Sequence, residues 1–174
     1  ICFIVEDLTR HSPLHEILPI ILREVRHAGV KDEQIEIFIA AGMHPEAPAE
    51  EVEAKLGPAA QGIAWRWNPW NRPDRYVRLG KVAGAPVLIE RGVLEADLRI
   101  LVSSVSPHLQ AGFGGGYKMY FPGCGEISSI RMLHRTGIRR RGQDQLVGTP
   151  ASANPMRQVI DAAGKLVDAH HGRT

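Results

Sequence analysis

The chain begins Ile1-Cys2-Phe3-Ile4-Val5 and passes directly into Glu6-Asp7-Leu8-Thr9-Arg10, and these ten residues decide the fold. Five apolar residues in a row, without alternation, predict a strand covered on both faces, as in the interior of a parallel sheet. The polar run behind them predicts a loop at the strand's carboxyl end. Ser12-Pro13 then opens a helix, with Ser12 expected to cap it and Pro13 suited to its first turn. Leu14, Ile17, Leu18, Ile21, Leu22 and Val25 recur at helical spacing, and Gly29 ends the run. Pro19 lies inside this pattern and should kink the helix or delay its start.

The same alternation continues outward. Residues 35–40 (IEIFIA) predict a second strand, followed by Ala41-Gly42-Met43-His44-Pro45. A helix is expected over 49–56, stopped by Gly57. Residues 63–75 hold all three tryptophans among prolines and asparagines, and read as a short strand and then an irregular loop. Residues 86–91 and 98–102 (LRILV) are further strands, and 103–125 is rich in glycine and polar residues. Helices are expected over 127–135 and from Asn154 to about Ala169.

Strands alternating with helices imply an α/β domain: a mostly parallel, Rossmann-like sheet with helices on both faces. Ligands of such sheets sit outside the carboxyl ends of the strands. The polar segments EDLTR, AGMHP and SSVSPH each follow an apolar strand, so they should converge on one sheet edge.

Composition narrows the classes. Apolar residues make up 44 % and charged residues 23 %, the balance of a globular domain and not of a disordered chain. With 21 basic against 19 acidic residues, nothing in the overall charge favours nucleic acid or an anionic membrane. Arg139, Arg140 and Arg141, with Arg135 before them, form the one dense basic cluster, read as a solvated loop. No run approaches the roughly 18–20 apolar residues of a membrane span. Cys2 and Cys124 lack metal-type spacing and read as free thiols of a reducing, cytoplasmic protein.

Of eight histidines, His11, His15, His27, His170 and His171 fall at expected surface, loop or tail positions. His44 and His108 fall at strand–loop junctions on the presumed functional edge, where an imidazole can move protons near neutral pH. The glycine segment Gly114-Gly115-Gly116 ends in Tyr117-Lys118 and fits neither the P-loop spacing nor GxGxxG. Glycines let a backbone approach an anion closely. A lysine held in a dry pocket becomes a nucleophile or attachment point; the plain reading is a solvated charge. His134 follows at the end of a short helix. One imidazole suits several metals and specifies none.

Taken in order, these residues resemble the nickel-dependent lactate racemase family. The resemblance rests on Asp7-Leu8-Thr9-Arg10 with Pro13, Gly42-Met43-His44, and Ala96-Asp97. It rests further on Pro107-His108, Ala111-Gly112-Phe113, the glycine step to Lys118, Pro122-Gly123, His134, and Asn154-Pro155-Met156-Arg157. It covers nearly the whole chain. It implies a racemase or epimerase that inverts C2 of a 2-hydroxy acid by reversible hydride transfer. The cofactor it implies is a nickel pincer built on pyridinium-3,5-bisthiocarboxylic acid mononucleotide, covalently attached at Lys118 through a thioamide. By the same resemblance His134 ligates nickel, and His44 and His108 are the acid/base pair. Asp7, Thr9, Arg10, Gly114, Gly115 and Gly116 line the cofactor. It implies too that residues 1–174 are part of an N-terminal cofactor-binding domain, a fragment whose second domain is a missing partner. Two positions depart from the family: Gly114 stands where Ser is frequent, and Pro45 follows His44 where Arg is common. The alternatives are a non-catalytic domain of this fold binding a nucleotide-like ligand, and a zinc hydrolase.

Overall fold

The computed structural model describes residues 1–138 and 146–171; Arg139, Arg140 and Arg141 lie outside them. Strand β1 (Cys2–Val5) leads through α1 (Leu14–His27) to β2 (Glu36–Ile39), α2 (Ala49–Leu56) and β3 (Ala64–Trp67). A hairpin of β4 (Tyr76–Val82) and β5 (Ala85–Glu90) and the short α3 (Arg91–Glu95) precede β6 (Arg99–Val102). The small pair β7 (Pro107–His108) and β8 (Gly112–Phe113) follows, then α4 (Ile127–Ile138) and α5 (Pro155–His171).

The central sheet is parallel, in the order β3-β2-β1-β6. Val5 pairs with Ile39 and Val102, and Ile39 with Trp67, so the carboxyl ends of all four strands finish level. Successive side chains go to opposite faces. Cys2 and Ile4 join Phe38 in a core shared with β5, α4 and α5, whereas Phe3, Val5, Ile37 and Ile39 pack against α1 and α2. Each fully buried Leu or Ile of these cores contributes about 1.5–3 kcal/mol. The helices on both faces match the sequence reading. Among the described residues no helix is long and apolar enough to cross a membrane. Cys2 and Cys124 are buried free thiols, and burial, with Glu36 adding to it, pushes Cys2 up to about 12.

Three local expectations fail. Ser12 does not cap α1: Pro13 occupies that position without a side-chain cap bond, and the Ser12 hydroxyl donates to the Glu6 carboxylate. A bond to a charged acceptor is the stronger offer. Pro19 does not delay α1, which starts at Leu14 and runs through Pro19 to His27, with Leu18 and Leu22 fully buried against the sheet on either side of it. Residues 86–91 do form a strand, but it pairs antiparallel with the unforeseen β4 and stays out of the parallel sheet. The connection is Ala83-Gly84, both at positive φ (48° and 83°), the backbone of a tight two-residue hairpin turn.

Candidate active site

The level strand ends deliver three polar loops side by side, as the sequence predicted. They wall a cavity of about 140 Å³ together with the Gly114–Gly123 turn and α4. The loop after β1 contributes Asp7 and Arg10, the loop after β2 His44, and the segment after β6 His108. Gly114, Gly115 and Lys118 close one side, and α4 supplies His134. Two wider surface grooves, of about 610 and 720 Å³, run along α2–β3 and the tryptophan loop; neither contains a histidine or lysine.

His44 is paired with Asp7, Nδ1 to Oδ2. Asp7 is almost fully buried and also accepts the Thr9 hydroxyl (2.6 Å) and amide (3.2 Å) through Oδ1. Burial opposes its ionisation, but the bonds from His44 and Thr9 outweigh that and hold its carboxyl below the usual carboxylate range. An ionised Asp7 accepts only, so the His44 proton sits on Nδ1 and Nε2 keeps its lone pair. Next to Asp7, buried Glu6 accepts from the hydroxyl of Ser12 and from the amide and hydroxyl of Ser104 (3.1 Å each). It ties the loop after β1 to the loop after β6.

His108 is arranged the other way round. Its Nδ1 accepts from the backbone amides of Gln110 (3.2 Å) and Ala111 (3.1 Å), so the neutral ring carries its proton on Nε2. Burial, then the charges of Lys118 and Arg10, push it down to about 4. The same two influences act on Lys118: burial, then Arg10, lower its amine to about 8, with Asp7 and Glu6 opposing. His134 is lowered by burial and then by Lys118. Arg10 lines the cavity without an ion pair among the described residues. The wall therefore carries two basic groups without ion-pair partners among the described residues, a neutral histidine, and an aspartate-bound histidine.

Thr9 and Gly116 stand outside the cavity wall. Thr9 is exposed and braces Asp7, and Gly116 faces Arg157. The glycine step is held from behind. Gly115 has φ +72°, and a Cβ there would lie 2.7 Å from the Ser104 carbonyl, so no other residue fits. The Gly114 amide already donates to Ser106 (2.7 Å), and the Arg157 guanidinium donates to the carbonyls of Phe113 and Gly115 (3.3 Å each). Asn154 caps α5 through the Arg157 amide (2.9 Å) and reaches the Gln110 carbonyl (3.0 Å), beside His108. Among the described residues no three His, Cys, Asp or Glu side chains gather into a metal cage. A group bringing its own donors could be held in this cavity, with His134 able to ligate it and the lowered Lys118 amine able to attach it. Sequence reasoning missed Glu6, Ser104 and Asn68, whose partners lie far away in the chain.

Residues 1–145 match the family model of the lactate racemase N-terminal domain. The chain is 27 % identical over 191 residues to the lactate racemase of Thermoanaerobacterium thermosaccharolyticum, covering 100 % of this chain and 45 % of that protein. It is 32 % identical over 136 residues to the lactate racemase of Lactiplantibacillus plantarum, covering 77 % and 32 %. The lactate racemase apoprotein from T. thermosaccharolyticum superposes with a TM-score of 0.86 at 26 % identity, over 95 % of this chain and 40 % of that one. A Thermotoga maritima protein shares the fold at 23 % identity, with a TM-score of 0.85 over 97 % and 43 % of the two chains. The chain thus spans less than half the length of the relatives it matches.

Proposed function

The chain belongs to the lactate racemase family, and on that footing we propose that it forms the cofactor-binding part of a racemase or epimerase acting at C2 of a 2-hydroxy acid, lactate or a larger analogue. The observation that carries the reading is the meeting of Lys118, His134, His44 and His108 around one cavity. In this reading Lys118 anchors the pincer nucleotide and His134 ligates its nickel. When bound, that group supplies a reversible hydride acceptor for the C2 hydrogen, which a simple base removes only with difficulty.

The protein's own groups bind the substrate and move the hydroxyl proton. Arg10, a planar cation without an ion-pair partner among the described residues, takes the substrate carboxylate or the cofactor phosphate. His44 accepts the hydroxyl proton at Nε2, and ionised Asp7 stabilises the imidazolium that results. His108 presents the opposite tautomer and hydrogen-bonds the substrate oxygen on the other side. To accept a proton at Nε2 it must shift its own to Nδ1 and give up two amide bonds. The two histidines are therefore chemically unequal in the free protein. The further length of the relatives supplies, in this reading, a second domain that covers the cleft and excludes water.

The test is isotopic. Full-length, nickel-loaded protein is given one enantiomer of 2-deuterated lactate, and a panel of larger acids, in ordinary water. Hydride transfer retains deuterium at C2 of the inverted product. Deuterium washed out into solvent refutes the hydride route, and no inversion of any acid refutes the racemase.

A further inference from the structure

The tryptophan-rich segment Trp65-Arg66-Trp67-Asn68-Pro69-Trp70 has no part in the chemistry above. Its hydrogen bonds nevertheless end on the segments that carry that chemistry. The indole N–H groups of Trp67 (3.1 Å) and Trp70 (3.2 Å) both donate to the backbone carbonyl of His44. Asn68 is buried to 1 % exposure, and its amide donates to the carbonyls of Gly42 (2.7 Å) and Gly125 (2.9 Å). Its own side-chain oxygen accepts the Tyr76 hydroxyl (2.9 Å). The Trp70 carbonyl accepts the amide of Ile127 (3.0 Å), the first residue of the helix that carries His134. One short segment thus joins the His44 loop, the end of the Lys118 turn and the start of α4.

A buried amide with every polar atom satisfied, and a carbonyl with both lone pairs taken by indoles, define one geometry. The Gly42–His44 backbone is otherwise a short loop whose Gly42 amide donates to Gly123 (2.9 Å). The His44 amide donates to the Ala41 carbonyl (3.0 Å), so the near side of the residue is held by its own turn. The far side, the His44–Pro45 peptide, is held through its carbonyl by the two indoles, and without them that peptide loses its side-chain partners and the ring is less firmly kept on Asp7.

We infer that Trp67, Asn68 and Trp70 are positioning residues that clamp the backbone of His44, keeping its ring on Asp7 and its Nε2 toward the cavity. The effect on turnover rests on the racemase reading; the effect on the ring does not. A displacement of about 1 Å at a reacting group costs up to about 100-fold. The test uses full-length, cofactor-loaded protein with 15N-labelled histidine, as wild type, Trp70→Phe, and Trp67→Phe with Trp70→Phe. Phenylalanine keeps an aromatic ring and removes the donor.

In the double variant the His44 signal is expected to move from a single Nδ1–H tautomer to a mixture. Its kcat should fall roughly tenfold, with KM within about twofold and the mass of the Lys118 adduct unchanged. Trp70→Phe, at a partly exposed position, should show the same changes at smaller size, and it decides the matter should the double variant not fold. A merely structural role would lower the unfolding temperature and leave the tautomer of the folded protein as it was. Folded variants with the wild-type His44 tautomer overturn the proposal, whatever their turnover. A tautomer shift with unchanged kcat overturns it as well, provided His44→Ala is inactive. Should the wild type racemise nothing, the racemase reading falls and the tautomer alone still decides whether the clamp exists.

Discussion

Limited acetylation of the protein at pH 7 should mark Lys118 ahead of its exposed lysines Lys31, Lys81 and Lys165. Burial, then the charge of Arg10, lower the Lys118 amine from 10.5 to about 8. At pH 7 that raises its neutral fraction about 300-fold over an ordinary lysine. A less basic amine is also a weaker nucleophile; on the analogy of thiols this returns about half of the gain on a logarithmic scale, leaving roughly 20-fold. The assay is peptide mapping by mass spectrometry of protein without cofactor, labelled from pH 6 to 11. The Lys118 profile should have its midpoint near 8, and Arg10→Ala should move the midpoint upward by removing a neighbouring cation. Stability gives a second readout. The folded-state value lies below the unfolded one, so protonation of Lys118 favours unfolding. The penalty is fully present below about pH 8 and disappears above 10.5. The interval corresponds to about 3 kcal/mol, which residual solvent at the cavity lowers to roughly 1–2 kcal/mol. Lys118→Met should therefore stabilise the protein by that amount at pH 7 and leave it unchanged at pH 11. A Lys118 labelling midpoint at 10.5, with no stabilisation in Lys118→Met, refutes the reasoning.

His108 should remain a neutral Nε2–H ring in 15N spectra until the pH approaches about 4; titration near the ordinary 6.5 would show that burial and the Lys118 and Arg10 charges do not act as described. Because its folded value lies below its unfolded one, acid should cost stability as the pH falls from 6.5 to about 4 and no further through this group. Gly164→Ala places a Cβ 2.2 Å from the Tyr117 ring, so denaturant unfolding should show a loss of about 1–3 kcal/mol despite the better helix former. A gain in stability would mean that Tyr117 does not lie on α5. Replacing His44 or His108 by Ala should lower racemisation by about 10²–10⁴-fold, followed by circular dichroism, with the adduct on Lys118 retained in the intact mass; full activity in either variant removes that histidine from the mechanism.

The parallel sheet was legible because an uninterrupted apolar run such as residues 1–5 has few alternatives, and polar residues directly after such runs must gather at the strand ends. His44, His108, Lys118 and His134, singled out by their places at strand–loop junctions or in the ordered motifs, line one cavity. What escaped depends on distant partners or on backbone conformation. Ser12 looks like a helix cap until the fold brings Glu6 within reach. The hairpin of β4 and β5 turns on positive φ at Ala83, an alanine, where the pattern for such turns looks for asparagine, aspartate or glycine. Asn68 reads as one loop polar residue among several, and only the assembled chain shows it buried among three carbonyl- and hydroxyl-bearing segments. The glycine in the middle of α5 was a visible signal, since such a residue costs about 1 kcal/mol in a helix; its reason is the Tyr117 ring, whose hydroxyl donates to Asp168 (2.5 Å).

The distribution of charge around the cavity separates function from stability. Glu6 and Asp7 lie close enough to raise the Lys118 amine, yet neither forms an ion pair with Lys118 or Arg10. Glu6 is committed to Ser12 and Ser104, and Asp7 to His44 and Thr9. A fold selected for stability alone would set these carboxylates against the two cations, because an unpaired charge beside a buried one is costly. Here the acids hold the loops and orient the His44 ring, and Arg10 and Lys118 are left facing the cavity. That arrangement favours an anionic occupant: a carboxylate or phosphate entering it meets Arg10 without first breaking a salt bridge. Burial, and after it the charge of Arg10, keep the Lys118 amine well below the ordinary lysine value. Attachment through Lys118 would remove one positive charge and with it the second-largest influence depressing His108.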